Sequence, residues 1–257
     1  MNIFAITEAE GKSLLDKHGV ADLLLEGSNS EIKPKWDDLA RLYMLVRERK
    51  PFQVLEFGSG FSTIVMACAL KQNWGDYLDC RPIGPMWPQP CIVSIESSEE
   101  WMENTRQKVE KAGLAEFAKI IFSTTTIGEH QGQVCHFYDE LPDVVPDFVY
   151  LDGPDPSTVQ GSINGLSFKN PKRTVMSGDI LKYESTLLPG FFMIVDGRTN
   201  NARFLQRMFT RKYAVQYHLQ ADATTFELME TRLGVKNISG REAYTFDANS
   251  PQLTLKK

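Results

Sequence analysis

Apolar and polar positions follow three different rhythms along this chain. Up to residue 50, apolar side chains recur at helical spacing. One stretch carries Leu14, Leu15, Val20, Leu23, Leu24 and Leu25, and the next carries Trp36, Leu39, Ala40, Tyr43, Met44 and Val46. This spacing predicts helices over 8–25 and 36–49, the second closed by Pro51. From residue 52, short apolar runs alternate with helical stretches. Strands are expected over 53–57, 91–96, 119–123, 147–151 and 191–195, with helices over 63–72, 99–112 and 201–211. The run at 147–151 is apolar at almost every position, as a strand buried on both faces should be. Strand–helix alternation of this kind predicts a mainly parallel α/β sheet. Two last strands, 214–219 and 225–229, leave no room for a helix between them and should form an antiparallel hairpin.

Three stretches fit neither rhythm. Residues 75–90 carry Pro82, Pro85, Pro88 and Pro90 and read as an insertion. Residues 124–146 are polar, with His130 and His136 expected as solvated loop histidines. Residues 153–174 are rich in Gly, Ser, Asn and Pro. The last two flank the fourth strand, so they are candidate walls of a ligand site at the carboxyl edge of the sheet. Residues 179–184 read as a surface helix with a solvated acidic face. The chain divides into a helical extension (1–52), an α/β core (53–232) and a tail (233–257).

Composition narrows the class. With 28 basic and 33 acidic residues among 257, the net charge is −5, which argues against nucleic acid as the main partner. The first fifteen residues carry Glu8, Glu10 and Lys12 and lack the long apolar run of a secretory signal. The densest apolar runs are far shorter than the ~20 residues that span a bilayer. No membrane partner and a cytoplasmic location are expected. Cys68, Cys80, Cys91 and Cys135 form no metal-spaced cluster and read as free thiols. Asn237, Ile238 and Ser239 spell a glycosylation sequon, of no consequence without export.

The strongest local signal is the run Val54-Leu55-Glu56-Phe57-Gly58-Ser59-Gly60-Phe61-Ser62-Thr63. It reads as strand, tight glycine turn and helix start, with Ser62 or Thr63 able to cap the helix. A P-loop would need a lysine, and a dinucleotide fingerprint a glycine where Thr63 stands. Glu56 would repel a phosphate and attract an ammonium group. The turn therefore suits a ligand with a cationic amino-acid head, such as S-adenosylmethionine (SAM). The second strand ends in Glu96, a carboxylate able to accept two hydrogen bonds from a ribose diol. It stands 38 residues after Gly58, beyond the usual ~20, and the proline-rich insertion accounts for the excess.

With these motifs in place, residues 53–230 resemble the class I SAM-dependent methyltransferases, terminal hairpin included. The wording Leu55-Glu56-Phe57-Gly58-Ser59-Gly60, with Ser94-Ile95-Glu96, Tyr138-Asp139 and Asp152-Gly153-Pro154, looks like one subgroup of that family. The resemblance implies a Rossmann-like seven-stranded sheet, mostly parallel with a C-terminal antiparallel hairpin and helices on both faces. It implies methyl transfer from SAM to a small or medium-sized acceptor, to oxygen rather than nitrogen. The implied cofactor contacts are Glu56, Phe57, Gly58, Ser59, Gly60, Thr63, Glu96, Ser97 and Asp152. The loop after the third strand, Ser123-Thr124-Thr125, lacks the acidic residue common beside the adenine in that family.

Asp152 and Asp196 end the fourth and fifth strands and are the catalytic candidates, as general base or as anchors of a substrate hydroxyl. Magnesium-dependent O-methyltransferases resemble one another in an Asp-Asn after the fifth strand. Here Asp196 is followed by Gly197, so magnesium is not favoured and no metal ligands are assigned. Arg198 suits an anionic substrate group or a pair with Asp196. The rival reading is a non-catalytic SAM-binding or partner-binding domain of the same fold. Nothing here sets the oligomeric state.

Overall fold

A computed structural model describes residues 2–25, 33–79, 88–170, 172–174, 176–233, 237 and 239–240. Half of the proline-rich insertion (80–87, with Cys80), the tail beyond 240 and the centre of the sequon lie outside them.

Two short helices open the chain, α1 (Glu8–Lys17) and α2 (Ala21–Leu25). They were expected as one. The break is a helix end at Gly19, whose backbone is left-handed at φ +68°, while the Val20 N–H returns to the Leu15 carbonyl at 2.9 Å. That is the glycine-terminated cap that stops a helix despite a continuing apolar stripe. Helix α3 (Trp36–Arg49) has Asp37 and Asp38 in its first turn and Arg47 and Arg49 in its last, matching the helix dipole.

The core then alternates. Strand β1 (Gln53–Phe57) leads to α4 (Phe61–Asp79), β2 (Cys91–Glu96) to α5 (Glu99–Lys111), and β3 (Ala118–Phe122) follows. After β4 (Thr125–His130), β5 (Gln133–Tyr138), β6 (Phe148–Leu151), β7 (Val159–Gln160) and α6 (Ile180–Tyr183) come β8 (Phe192–Asp196), α7 (Thr199–Met208), β9 (Tyr213–His218) and β10 (Ala223–Leu228). The main sheet has seven strands in the order β3-β2-β1-β6-β8-β10-β9. All pairs are parallel except those of β10, which runs antiparallel to β8 and β9. This order and these directions are the seven-stranded, mostly parallel sheet with a C-terminal antiparallel hairpin that was expected. Each of its strands falls within two residues of its expected bounds. Strand order reverses at β1, so a crevice opens at its carboxyl end between β2 and β6.

The sheet divides the interior. Val54, Ile92, Phe148, Tyr150 and Ile194 face the helical side, where α1, α3 and α4 supply Leu15, Leu42, Val46, Val65 and Ala69. Leu55, Phe57, Ile95, Val149 and Val195 face the other, with Phe191, Phe204, Leu205 and Phe226.

Two further expectations fail. The stretch 124–146 is not irregular. It contains the β4–β5 hairpin, whose Gln131 and Gly132 have φ of +48° and +74°. Two left-handed residues make the turn whose twist suits a two-residue hairpin. The alternation it connects runs through Thr and His rather than aliphatics, so polarity hid it. With β7 it forms a second, three-stranded sheet. The helix at 179–184 is not a solvated acidic face either. Asp179 is fully buried and Glu184 nearly so. Asp179 accepts the Tyr138 N–H at 2.8 Å and the Ser177 hydroxyl at 2.9 Å. Glu184 accepts the Thr210 and Arg211 backbone N–H groups, each at 2.8 Å. Backbone donors from distant segments occupy both carboxylates, which the local sequence does not reveal. Among the described residues no helix is long and apolar enough to cross a membrane.

Candidate functional site

The β1 strand delivers Glu56 to the carboxyl edge of the sheet, facing the start of α4. It is 1% exposed, and among the described residues no cation pairs with it. Three hydroxyls hold it instead: Thr63 donates at 2.6 Å, Ser94 at 2.5 Å, and Ser62 donates to the other oxygen. Burial pushes its carboxyl up to about 7, against the pull of the hydroxyls. Thr63 also accepts the Gly60 N–H at 3.0 Å, tying the turn to the helix.

The turn depends on close backbone approach. Gly58 has φ +104°, a conformation glycine adopts without penalty. The loop after β6 lies directly against it. A Cβ on Gly153 would stand 2.6 Å from Gly58 Cα, so no other residue fits there. The Trp101 indole, one turn into α5, donates to the Ser59 carbonyl at 2.6 Å and fixes the far side of the turn.

Glu96 ends β2 and is 7% exposed. One oxygen accepts the Ser97 and Ser98 N–H groups at 2.8 and 3.0 Å, the other the Ser59 hydroxyl at 3.1 Å. Each carboxylate oxygen can accept two bonds, so capacity remains on the second. The Ser97 hydroxyl lies 2.9 Å from that of Thr158, bringing the loop after β6 across the top of β2.

These groups enclose a cavity of about 470 Å³. Of the expected residues, Glu56, Gly58, Ser59, Glu96 and Asp152 line it. Phe57, Gly60, Thr63, Ser97 and Asp196 are not on its wall: Phe57 faces the apolar interior, and Thr63 and Ser97 act through hydrogen bonds to Glu56 and Thr158. Sequence reasoning gave no site role to Ser94, Ser62, Trp101 or Thr158. Ser94 left a trace, as the one polar residue inside an otherwise apolar strand.

Arg198 is on the cavity wall and does not pair with Asp196. It donates to the Pro154 carbonyl at 3.1 Å and stands 3.9 Å from Asp152, whose side chain is 59% exposed. Asp196 instead accepts the Tyr150 hydroxyl at 2.8 Å. Burial first, and the Asp38 carboxylate second, push its carboxyl up to about 7. His130 stands at the end of β4, and His136 is fully buried, which corrects its expected solvation. Among the described residues no three His, Cys, Asp or Glu side chains are grouped to hold a metal ion.

The donor set fits SAM. A buried carboxylate with hydroxyl donors alone lacks the cation that would stabilise its charge. A second carboxylate stands one strand away with an oxygen still able to accept, and the glycine contact admits backbone only. No protein-family model matches the chain, and no curated protein matches its sequence. Solved structures do match. An SAH-bound methyltransferase from Podospora anserina aligns over 84% of this chain and 88% of its own, at 12% identity and TM-score 0.49. The O-methyltransferase TomG from Streptomyces achromogenes, in complex with SAM, aligns over 90% and 91%, at 15% identity and TM-score 0.42. An O-methyltransferase from Bacillus cereus in complex with SAH aligns over 88% and 92%, at 14% identity and TM-score 0.42.

Proposed function

We propose that this chain is a SAM-dependent methyltransferase acting on an oxygen of a small or medium-sized acceptor. One observation carries the reading: a buried, cation-free Glu56 and a part-satisfied Glu96 at adjacent strand ends of one cavity. SAM would supply an electrophilic methyl on a positively charged sulfur. Glu56 would take the ammonium group and Glu96 the ribose diol, while Ser59 and Trp101 hold the turn between them. The motif set shared by 55–60, 94–96 and 152–154 places the chain, in this reading, within one subgroup of the class I family.

The acceptor side would be formed by Asp152, Asp196 and the extension 1–52. Asp38 of α3 acts on Asp196 through its charge, which supports the extension as a wall of the acceptor site. Asp196, held by Tyr150, has an affinity for protons suited to a general base near neutral pH. The free thiols Cys68, Cys91 and Cys135 suit a reducing cytoplasm.

Calorimetry with SAM, S-adenosylhomocysteine (SAH) and NAD tests the cofactor. SAM and SAH should bind, and Glu96→Ala should weaken both at least about tenfold, the loss of one or two charge-assisted bonds. Binding of NAD in their place would overturn the reading. Turnover with an acceptor panel, abolished by Asp196→Asn with SAM binding kept, separates an enzyme from a binding domain.

A further inference from the structure

With Glu96 on a ribose diol, the base carried by that ribose must occupy the stretch of cavity wall next to Glu96. A purine needs an apolar contact for its faces and hydrogen-bond partners for its edge. The end of β3, where the resemblance set the base, is not on the wall: neither Ser123, Thr124 nor Thr125 lines the cavity. Ser123 is 4% exposed, and its hydroxyl donates to the Thr124 carbonyl at 3.1 Å and accepts the Glu140 N–H at 2.9 Å. The Thr124 hydroxyl is taken by Asp139. The loop after β6 runs across this end of the sheet, tied by the contact of the Ser97 and Thr158 hydroxyls and by the pairing of Val159 with Thr125.

That loop is a fixed wall. At its start the Gly153 N–H donates to the Phe57 carbonyl at 2.5 Å, and Arg198 donates to the Pro154 carbonyl at 3.1 Å. Its far end enters β7. Among the residues lining the cavity, Trp101 and Pro154 are the two with apolar side chains, so the base has only these to stack on. Pro154 is followed by three more wall residues, Asp155, Ser157 and Thr158.

The hydrogen bonds inside the loop decide what it offers a ligand. Asp155 Oδ1 accepts the Ser157 N–H at 2.8 Å and the Ser157 hydroxyl at 2.6 Å. The Thr158 hydroxyl donates to the Asp155 carbonyl at 2.8 Å. Both hydroxyl protons of the loop are thus spent within it. Asp155 Oδ2 has no partner among the described residues, and the bonds from Ser157 hold this carboxyl below the usual carboxylate range, so it is ionised at neutral pH. The loop presents side-chain acceptors and no side-chain donor. Adenine carries an amine with two N–H donors where guanine and hypoxanthine carry an acceptor carbonyl.

We propose that the loop after β6, rather than the end of β3, reads the nucleobase, with Asp155 accepting the exocyclic amine of an adenine stacked beside Pro154. Asp155 is then the residue that sets base specificity. The proposal rests on the methyltransferase reading for the nucleoside it names and goes beyond it in assigning the base.

SAH and S-inosylhomocysteine, which replaces the amine by a carbonyl, are titrated calorimetrically into the full chain, with adenosine and inosine as a second pair. SAH should bind at least about tenfold more tightly than S-inosylhomocysteine, the worth of one bond to a charged acceptor. In Asp155→Asn the Ser157 N–H still requires the amide oxygen at Oδ1, which sets the amide NH₂ at the place of Oδ2. SAH should weaken at least about tenfold and S-inosylhomocysteine should gain, so the preference falls to parity or reverses. A merely structural role for Asp155 would weaken both ligands alike. Asp155→Ala, the second variant, should abolish the preference without favouring the carbonyl. Equal affinity of the wild type for SAH and S-inosylhomocysteine, or a preference that survives both variants, would overturn the proposal and leave the methyltransferase reading standing. Adenosine bound in preference to inosine, with SAH failing to bind, would strike the methyltransferase reading alone. No binding of SAH or adenosine at millimolar concentration would overturn both.

Discussion

Glu56 is the residue on which cofactor chemistry turns, because its charge is held by hydroxyls and by no cation. With its carboxyl raised to about 7, a cationic ligand must find it ionised. The ionised fraction falls tenfold per pH unit below that value. SAM affinity should therefore weaken about tenfold per unit below pH 7 and level off above pH 8, as measured by calorimetry. In Glu56→Gln the slope should vanish and affinity at pH 8 fall by roughly 10- to 100-fold, the worth of one or two charge-assisted bonds. A pH-independent wild-type affinity would break the link to Glu56. Gly153 makes the second prediction at this scale. In Gly153→Ala the new methyl would meet Gly58 Cα at 2.6 Å and its nitrogen at 2.7 Å. Backbone cannot swing aside as a side chain can. The variant should lose about 1–3 kcal/mol of stability in urea titration, as overpacked sites do, and SAM binding with it.

At the scale of elements, the β4–β5 hairpin is the unit that local reading missed. It is anchored where Asp179 accepts the Tyr138 N–H and the Ser177 hydroxyl. Asp179→Ala would strand both donors. The expected cost is about 1–3 kcal/mol, with faster amide exchange at Tyr138 than in β1 or β6. Unchanged exchange at Tyr138 would show that the carboxylate does not hold the hairpin. The hairpin was hidden because its buried positions, Ile127 apart, are Thr, Cys, His and Tyr, whereas its Gln131-Gly132 turn was the readable signal. By contrast, β1, β2 and β6 were legible because strands buried on both faces are apolar at most positions. The split between α1 and α2 was legible in Gly19 alone.

Across the whole molecule, several buried acids titrate together. Glu56, Asp179 and Asp196 are raised to about 7 and Asp147 to about 6, in each case by burial. The folded chain keeps protons that the unfolded chain releases near pH 4. Their contribution to stability is thus present below that pH and lost as pH rises toward 7. Without ligand, the melting temperature should drop by about 5 °C or more between pH 5 and 8, from a few kcal/mol spread over a chain of this size. Differential scanning fluorimetry reads this directly, and a flat or rising profile would contradict it. Saturating SAM should reduce the fall, because a cation beside Glu56 removes its share.

The order of elements, the parallel core with its antiparallel end, and the acids Glu56, Glu96, Asp152 and Asp196 at strand ends were all determined by the sequence alone. Each depends on periodicity or on a turn residue within a few positions, and such signals are local. Only the tertiary structure decided which partners those acids meet. Ser94 reaches Glu56 because β1 and β2 pair in register, Glu56 beside Ser94. Tyr150, not Arg198, takes Asp196 because β6 and β8 lie side by side. Asp179 is buried because a distant strand brings its N–H there. Burial and hydrogen-bond partners are set by which segments are brought together in space, and that pairing is absent from any short window of the chain.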